Sequence, residues 1–246
     1  MRDYKVEFDN RVNYIKNKLI ETNSKGIVYG NSGGKDCALV GILSKAACNN
    51  VTSIIMPCNS KQNYESDMED AKRLAEQFNI DTKIVDLTKT RNDLIDELEK
   101  ITTLNDAAII NIPPRLRMTT LYAYGASHNY LVAGTGNKSE RYIGYFTKWG
   151  DGACDFNPIS DLTVNEIYEF LRYLKAPQSI IDKKPSAGLY AGQNDEDDLG
   201  VTYQQVENHI NGIKNNTNVD QKIKLYHDRN KHKIDPISTY IDSIVK

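Results

Sequence analysis

The chain has 246 residues and a formal net charge of −2, and 39% of its residues are hydrophobic and 26% charged. This length buries a sizeable core as one large α/β domain, and the composition is typical of a globular protein. A dedicated nucleic-acid binder is usually basic, and no apolar run approaches the length of a membrane span. The N-terminus has no apolar signal core, and the four cysteines form no C-x-x-C pair and no zinc spacing. We therefore expect a reduced, cytoplasmic protein that binds neither nucleic acid nor membrane.

Hydrophobic periodicity predicts alternating helices and strands in the first half of the chain. An amphipathic helix precedes the first strand, which ends at a glycine loop, and a second helix follows that loop. Further strands are predicted at residues 51–56, 82–85 and 130–133, with a helix over residues 63–78. This alternation predicts a doubly wound parallel sheet flanked by helices, in which ligands bind beyond the carboxyl ends of the strands. The glycine loop and the turn at Gly134 would both lie on that edge.

Helix signals continue in the second half. Pro113 and Pro114 are expected to end one segment and to open the next helix. Thr163 and Thr202 each begin a sequence typical of a capping box. Residues 183–199 have the composition of a long, mobile loop beside a site. The acidic run at residues 195–198 favours a solvated helix start over a metal site.

The glycine loop between the first strand and the second helix reads SGGKDC over residues 32–37. Adjacent glycines let backbone N–H groups turn toward one point, and the following helix N-terminus favours an anion. Gly-Gly alone favours an ordinary strand-to-helix turn, whereas the flanking Ser32 and Asp36 favour a phosphate site. The ATP motif G-x-x-x-x-G-K-[ST] does not fit, because Tyr29 and Asp36 occupy two of its positions. The dinucleotide motif G-x-G-x-x-G also fails, since Ser139 replaces its last glycine.

The loop resembles the pyrophosphate loop, Ser-Gly-Gly-x-Asp-Ser, of ATP pyrophosphatases. Several later blocks narrow that resemblance, and their order and spacing cover most of the chain. They are RLRM at 115–118, GTGNKSE at 134–140, GYFTKWGD at 144–151, KPSAGL at 184–189 and QNDE at 193–196. Together they resemble the ammonia-dependent, single-domain NAD synthetase family, whose fold is adenine nucleotide alpha-hydrolase-like.

The resemblance implies a two-step ligase reaction at the last step of NAD biosynthesis. ATP adenylates the nicotinate carboxylate of deamido-NAD and releases pyrophosphate, and ammonia then attacks the acyl-adenylate to give NAD and AMP. It also implies Mg²⁺ as cofactor and a homodimer. Larger relatives carry a glutaminase domain, and we expect residues 1–246 to form one synthetase domain without it, using free ammonia or a separate donor.

The resemblance also assigns site residues. Those expected to bind ATP are Gly30, Asn31, Ser32, Gly33, Gly34, Lys35, Asp36, Cys37, Thr135 and Ser186. Those expected to bind deamido-NAD are Arg115, Lys148, Asp155, His232 and Lys233. Asp36 and Glu140 are expected to bind Mg²⁺, since two hard carboxylates suit that ion. The rings of Tyr145, Phe146 and Trp149 include either a stacking partner for a substrate base or ordinary core residues.

Three features depart from the family pattern. Cys37 replaces a serine whose hydroxyl would contact phosphate. Either Cys37 is a tolerated substitute for that serine, or its place at a helix N-terminus lowers the pKa of its thiol and makes it reactive. Val164 stands where many relatives have a lysine that contacts ATP, and Pro113-Pro114 stiffen the loop before Arg115. Two rival functions stay open: another ATP pyrophosphatase, such as one that adenylates tRNA, and a nucleotide-binding sensor without turnover.

Overall fold

The structure is a computed structural model that describes residues 2–58, 64–183 and 194–240. A four-stranded sheet has the order β3-β2-β1-β4, and all three pairings between neighbouring strands are parallel. Its strands are β1 (Gly26–Gly30), β2 (Val51–Ile55), β3 (Asp81–Ile84) and β4 (Tyr130–Val132). The predicted doubly wound parallel sheet is therefore confirmed, and the strand positions differ from the prediction by one residue or less at most ends.

Helices cover both faces of this sheet. The described helices are α1 (Tyr4–Thr22), α2 (Lys35–Ala47), α3 (Tyr64–Gln77), α4 (Thr88–Glu99), α5 (Asp106–His128), α6 (Lys138–Ile143), α7 (Val164–Tyr173), α8 (Gln178–Ile181), α9 (Asp195–Leu199), α10 (Tyr203–Ile210) and α11 (Thr217–Ile234). Both predicted capping boxes are present, at the start of α7 and at the start of α10. Among the described residues, no helix combines the length and the apolar character that crossing a bilayer requires.

Strand β1 shows why the sheet is covered on both faces. Ile27 and Tyr29 point into a core formed with α1, α2 and α7, whereas Val28 points into a second core formed with α5. Successive side chains of a strand alternate between faces, so a run buried on both sides belongs to a central strand. The sheet is thus held between two apolar layers, and its carboxyl edge is left for polar groups.

The prediction for Pro113 and Pro114 was wrong. Both prolines lie inside α5, which begins at Asp106, where the side chain of Asn105 accepts a hydrogen bond from the Ala108 N–H at 2.8 Å. Adjacent prolines remove only two consecutive helical N–H donors. Pro114 is buried, and Gly150 packs directly against it, since a Cβ at Gly150 would lie 2.8 Å from the Pro114 Cβ. Tertiary packing therefore holds a helix across two residues that usually begin one.

Within the segment predicted as a loop over residues 183–199, the structure describes residue 183 and residues 194–199. The last residues of this segment form α9, with Asn194 as the N-cap, so the acidic run begins a helix as expected. Residues 184–193, which include Ser186, lie outside the described residues.

A cluster of charged residues ties α1 to the segment before α7. The Arg11 guanidinium donates to Asp161 at 2.6 and 2.9 Å, to Glu7 at 2.7 Å and to the Pro158 carbonyl at 2.6 Å. Arg2 adds ion pairs to Glu7, Asp161 and Glu166 at 3.1, 3.1 and 2.7 Å. We call Arg2, Glu7, Arg11, Asp161 and Glu166 the α1 clamp.

Candidate active site

The candidate site lies between β1 and β4, at the point where the order of the strands in the sheet reverses. Strands β1 and β4 are neighbours, and the segments after their carboxyl ends carry the glycine loop and the Gly134 turn. Ligands of open α/β sheets bind in this crevice. A cavity of about 1010 Å³ opens here, and both segments line it. The two predicted parts of the site therefore meet at one cavity.

The glycine loop is held by α3 as well as by its own strand. Gly33 has a φ of +73°, and a Cβ on it would lie 2.2 Å from the Asp67 carbonyl oxygen, so only glycine fits. The Asn31 side chain accepts from the Gly33 N–H at 3.1 Å and donates to the Ala71 carbonyl at 3.4 Å. Gly34 is the N-cap of α2 without a side-chain cap. The loop thus presents backbone donors at a helix N-terminus, an arrangement that suits phosphate.

Asp36 and Glu140 come together beside this loop. The Asn137 amide donates to Asp36 Oδ1 at 3.1 Å. Asn137 is also the N-cap of α6, and it forms a capping box with Glu140, whose carboxylate accepts from the Asn137 N–H at 3.3 Å. The Lys35 ammonium donates to Asp36 Oδ2 at 2.7 Å. A buried asparagine thereby connects the two carboxylates that the family resemblance assigns to Mg²⁺.

Negative charge exceeds positive charge around Glu140. Burial and the nearby Asp36 carboxylate raise the pKa of Glu140 to about 8, although Lys35 acts to lower it. Burial acts to lower the pKa of Lys35, but Asp36 and Glu140 outweigh it and raise that pKa above its usual value. Among the described residues, no group of three or more His, Cys, Asp or Glu side chains is arranged to hold a metal ion. The candidate cation site is the pair of carboxylates of Asp36 and Glu140, which Asn137 connects.

Cys37 does not have the lowered pKa that its place at a helix N-terminus suggested. The side chain is only 7% exposed, and burial raises the pKa of the thiol. Its sulfur lies 3.3 Å from Ser32 Oγ. Desolvation of the thiolate outweighs the helix N-terminus here. Of the two alternatives for Cys37, burial disfavours the reactive thiolate and favours the substitute for serine.

The predicted dinucleotide contacts are divided between the cavity and its surroundings. Lys233 lines the cavity and donates to the Gly144 and Phe146 carbonyls at 2.8 and 3.0 Å. Arg115, Lys148 and His232 are not among the described residues that line the cavity. Arg115 Nε donates to the Lys148 carbonyl at 3.3 Å, and Lys148 Nζ donates to the His232 carbonyl.

Asp155 lies apart from that group. Its carboxylate accepts from the Val132 N–H at 2.7 Å and from the Tyr122 hydroxyl at 3.2 Å. Among the described residues that line the cavity, neither Asp155 nor its partner Tyr122 is found. The sequence assignment of Asp155 stays a prediction.

Of the remaining predicted positions, Thr135 lines the cavity between Gly134 and Gly136. Tyr145 and Phe146 also line it, whereas Trp149 is 56% exposed and has the Lys148 ammonium 5.3 Å from its ring centroid. Trp149 is therefore not a core residue.

Val164 is buried at the start of α7, where its N–H donates to Ser139 Oγ at 3.4 Å.

Sequence reasoning missed several groups at this site. Asp195 is only 2% exposed, and it accepts from the buried Tyr203 hydroxyl at 3.1 Å. Tyr168 lines the cavity and donates to the Lys183 carbonyl at 2.6 Å. The acidic run pointed to Asp195, but its burial depends on Tyr203 from the next helix. The block GTGNKSE contained Asn137 without indicating that it connects Asp36 and Glu140.

A glycine loop at a helix N-terminus beside two carboxylates defines a nucleotide-binding α/β enzyme. Comparison with known proteins identifies the family. The NAD synthase family model matches residues 7–243, so the chain belongs to that family. The ammonia-dependent NAD⁺ synthetase of Carboxydothermus hydrogenoformans is 42% identical over 225 residues, which are 90% of this chain and 91% of the relative.

Solved structures agree with this assignment. The NMN synthetase of Francisella tularensis is 34% identical with a TM-score of 0.92, covering 98% of this chain and 99% of that one. The ammonia-dependent NAD synthetase of Campylobacter jejuni is 28% identical with a TM-score of 0.81, covering 98% and 100%. The chain is accordingly a ligase of the amidating type.

Proposed function

We propose that this chain amidates the nicotinate carboxylate of deamido-NAD with ammonia, consuming ATP and releasing NAD, AMP and pyrophosphate. One observation carries the proposal: in a member of the NAD synthase family, the phosphate loop and the Asp36–Glu140 pair meet at one cavity beyond the carboxyl ends of β1 and β4. ATP occupies the loop side, with its phosphates at residues 32–37. Thr135 and Ser186 complete the ATP contacts.

The chemistry requires activation of a carboxylate, which is a poor electrophile. One nicotinate oxygen attacks the α-phosphorus, the bond to the pyrophosphate oxygen breaks, and a mixed acyl-phosphate anhydride forms. Ammonia then attacks the carbonyl carbon, AMP leaves, and the nitrogen loses a proton. Backbone N–H groups at the start of α2 stabilise the charge that develops on pyrophosphate.

Asp36 and Glu140 hold Mg²⁺ in this proposal. Their donor set fits that ion, because Mg²⁺ is commonly bound by one or two carboxylates together with phosphate oxygens and water. The raised pKa of Glu140 fits as well, since a nearby cation would favour the ionised form. When bound, the ion polarises the phosphate oxygens. Asn137 orients Asp36, and the capping box orients Glu140.

Deamido-NAD binds on the side of Lys233 in this proposal. Outside the cavity, Arg115 donates to the Lys148 carbonyl and Lys148 donates to the His232 carbonyl, and the positive groups of Arg115 and Lys148 suit phosphate or carboxylate. Burial lowers the pKa of Lys233, whose ammonium is already bound to two carbonyls. Asp155 would accept a hydroxyl of the substrate.

A homodimer is part of the same proposal. All residues of α4 are described, and none of them is buried. Apolar side chains nevertheless lie on and beside α4, with Leu94 37%, Ile84 51% and Ile101 80% exposed. A second copy of the chain would cover such a face. Light scattering coupled to size exclusion measures the mass, and a monomer over the micromolar range would contradict this part.

A second acceptor is favoured by the structural comparison. The Francisella protein with a TM-score of 0.92 is an NMN synthetase, so nicotinate mononucleotide is a candidate substrate for this chain. The bond chemistry is identical, because only the second nucleotide of the acceptor is missing. The ratio of kcat/KM for the two acceptors decides between them. A tenfold ratio corresponds to about 1.4 kcal/mol of discrimination in the transition state.

One assay tests the proposed function. The protein is incubated with ATP, Mg²⁺, ammonium and either deamido-NAD or nicotinate mononucleotide, and the nucleotides are resolved. We expect the amide, AMP and pyrophosphate in equal amounts, with almost no product when glutamine replaces ammonium. ADP as product would contradict the mechanism. Nucleotide binding without turnover would support a sensor, and adenylation of added tRNA would support the rival ATP pyrophosphatase.

A further inference from the structure

A row of polar side chains on α3 packs against the segment that contains α8. Asp70 accepts from the Ser179 hydroxyl at 2.6 Å, and Arg73 Nη1 donates to the same hydroxyl oxygen at 3.2 Å. Near the end of α3, Gln77 Nε2 donates to the Lys175 carbonyl at 2.7 Å. Asp70, Arg73 and Gln77 lie close to one helical face because of their spacing. The docking of α3 on this segment is therefore polar along its length.

Lys183 is the charged centre of this contact. Its ammonium lies 2.6 Å from Asp67 Oδ1 and 2.9 Å from Asp70 Oδ2, and the Asp70 side chain is only 10% exposed. The Lys183 carbonyl accepts from the Tyr168 hydroxyl at 2.6 Å. The residue is thus held at its backbone by α7 and at its ammonium by α3. Charge-assisted hydrogen bonds of this kind are the strong ones.

The same end of α3 fixes the phosphate loop. The Asp67 carbonyl oxygen occupies the space where a Cβ of Gly33 would lie, and the Ala71 carbonyl accepts from the Asn31 amide at 3.4 Å. Asp67 therefore contacts Gly33 through its backbone and Lys183 through its carboxylate. A shift of the first described turns of α3 would move both contacts together.

We propose that Lys183 is a positioning residue for ATP, acting through Asp67 and Asp70 to hold α3 against the phosphate loop at Gly33. This inference rests on the proposed function, because it assigns the loop to ATP. Among the described residues, the two carboxylates of Asp67 and Asp70 balance the positive charges of Lys183 and Arg73, so this cluster has no surplus positive charge for a phosphate. Lys183 acts on the nucleotide indirectly, through the backbone of α3.

The first test compares Lys183→Met and Lys183→Arg with the unmodified chain. Calorimetry measures the Kd for ATP with no acceptor present, and steady-state assays measure KM for each substrate. We expect Lys183→Met to raise the Kd and KM for ATP about tenfold, because it removes both charge-assisted bonds that hold α3, and only part of their loss is transmitted to the phosphate loop. KM for the acceptor and for ammonium should stay unchanged, and Lys183→Arg should restore most of the ATP affinity.

Asp70→Asn separates positioning from direct contact. The asparagine oxygen still accepts from Ser179, but the charge that faces Lys183 is lost. Positioning predicts weaker ATP binding in Asp70→Asn. It also predicts that the double variant with Lys183→Met is no worse than Lys183→Met alone, because both substitutions break one pair. Unchanged or tighter ATP binding in Asp70→Asn would overturn the proposal, since a lysine that contacts phosphate directly would be released by that change.

Gln77→Ala is the matched control. It removes a contact from the same interface, at the end of α3 that lies away from Gly33. We expect a small loss of thermal stability and an unchanged Kd for ATP. Equal losses of ATP affinity in Gln77→Ala and Lys183→Met would overturn the proposal in favour of general helix docking. If the unmodified chain binds ATP but forms no amide, the proposed function fails, while these binding measurements still decide the role of Lys183.

Discussion

At the α1 clamp, two arginines face three carboxylates, and the acids are paired with cations at short distances. At the active site, Lys35 faces Asp36 and Glu140, and Asp195 lies close enough to raise the pKa of Glu140 further. The pKa values of one carboxyl group from each cluster, Asp161 in the α1 clamp and Glu140 in the active site, move in opposite directions. Burial acts to raise the pKa of Asp161, but the hydrogen bonds and charge of Arg11 outweigh burial, so the net shift is downward. The pKa of Glu140 instead rises to about 8.

This contrast separates charges that hold the fold from charges that serve the reaction. In the α1 clamp, hydrogen bonds from Arg11 favour the ionised form of Asp161, so that carboxylate contributes stability when it is ionised. In the active site, burial and the Asp36 carboxylate disfavour the ionised form of Glu140, which further positive charge would favour. Functional sites commonly store such unfavourable electrostatics at a cost in stability. The two clusters therefore predict opposite responses to mutation.

The largest expected effect is on turnover. Asp36→Asn and Glu140→Gln should each lower kcat for amide formation by about 10²–10³-fold, the scale of losing a preorganised electrostatic contact in an active site. Glu140→Gln should not lower the melting temperature, because it relieves repulsion with Asp36. Asp36→Asn should lower it, because it also removes the carboxylate that pairs with the buried Lys35 ammonium at 2.7 Å. Asp161→Asn is the control, with stability lost and kcat kept. Near-normal turnover in Asp36→Asn or Glu140→Gln would remove that residue from the site.

Breaking the α1 clamp should give the converse result. Arg11→Met removes a guanidinium whose side chain is 10% exposed, and it leaves Glu7 and Asp161 without that partner. We expect a loss of about 2 kcal/mol in the free energy of unfolding, between the values for exposed and for buried pairs, because Asp161 is 55% exposed and keeps its pair with Arg2. Urea unfolding measures the loss. KM for ATP should be unchanged, and a raised KM with intact stability would refute the division between the two clusters.

Backbone geometry at the phosphate loop gives a smaller effect that charge does not explain. Gly33→Ala places a methyl group against the Asp67 carbonyl, whereas Gly212 has the same φ of +73° with nothing within 4 Å. Both substitutions carry the backbone strain of about 1 kcal/mol, but only Gly33→Ala displaces α3. We expect weaker ATP binding in Gly33→Ala alone, measured by calorimetry. Equal ATP affinity in the two variants would show that the contact with Asp67 is unimportant.

The sequence predicted the parts of this molecule that depend on local pattern. Apolar runs located all four strands, and a polar motif after β1 and another after β4 located Asp36 and Glu140. Parallel strands bring such motifs to one edge, so the pair follows from topology. The magnesium and dinucleotide assignments came from the family resemblance and stay predictions.

The remaining features depend on partners that are distant in the chain. Pro114 lies within a helix because Gly150 packs on it, and Lys183 finds Asp70 across 113 residues. The thiol of Cys37 follows its burial rather than its place at the start of α2, so its pKa rises. A propensity or a helix dipole is a local effect, and each of these sites is decided by tertiary packing and desolvation.

The smallest expected effect is the pH dependence of stability, and its sign differs between the clusters. Glu140 has a pKa of about 8 in the folded chain against 4.5 as its ordinary value. Between those values the folded state keeps a proton that the unfolded state has released, so stability falls as the pH rises. The pKa of Asp161 is lowered below 3.8, so its contribution is present above that pH and is lost as the pH falls through the folded pKa.

Melting temperatures measured from pH 3 to pH 9, without nucleotide or metal, test both signs. One group changes the slope of stability by at most about 1.4 kcal/mol per pH unit. Glu140→Gln should therefore lose less stability than the unmodified chain between pH 5 and pH 8, and the two should converge near pH 4. Asp161→Asn should differ most above pH 4 and least in acid. If the melting temperatures of Glu140→Gln and of the unmodified chain change with pH in parallel, Glu140 is ionised in the folded protein. The charge of Glu140 would then be as well compensated as that of Asp161 in the α1 clamp.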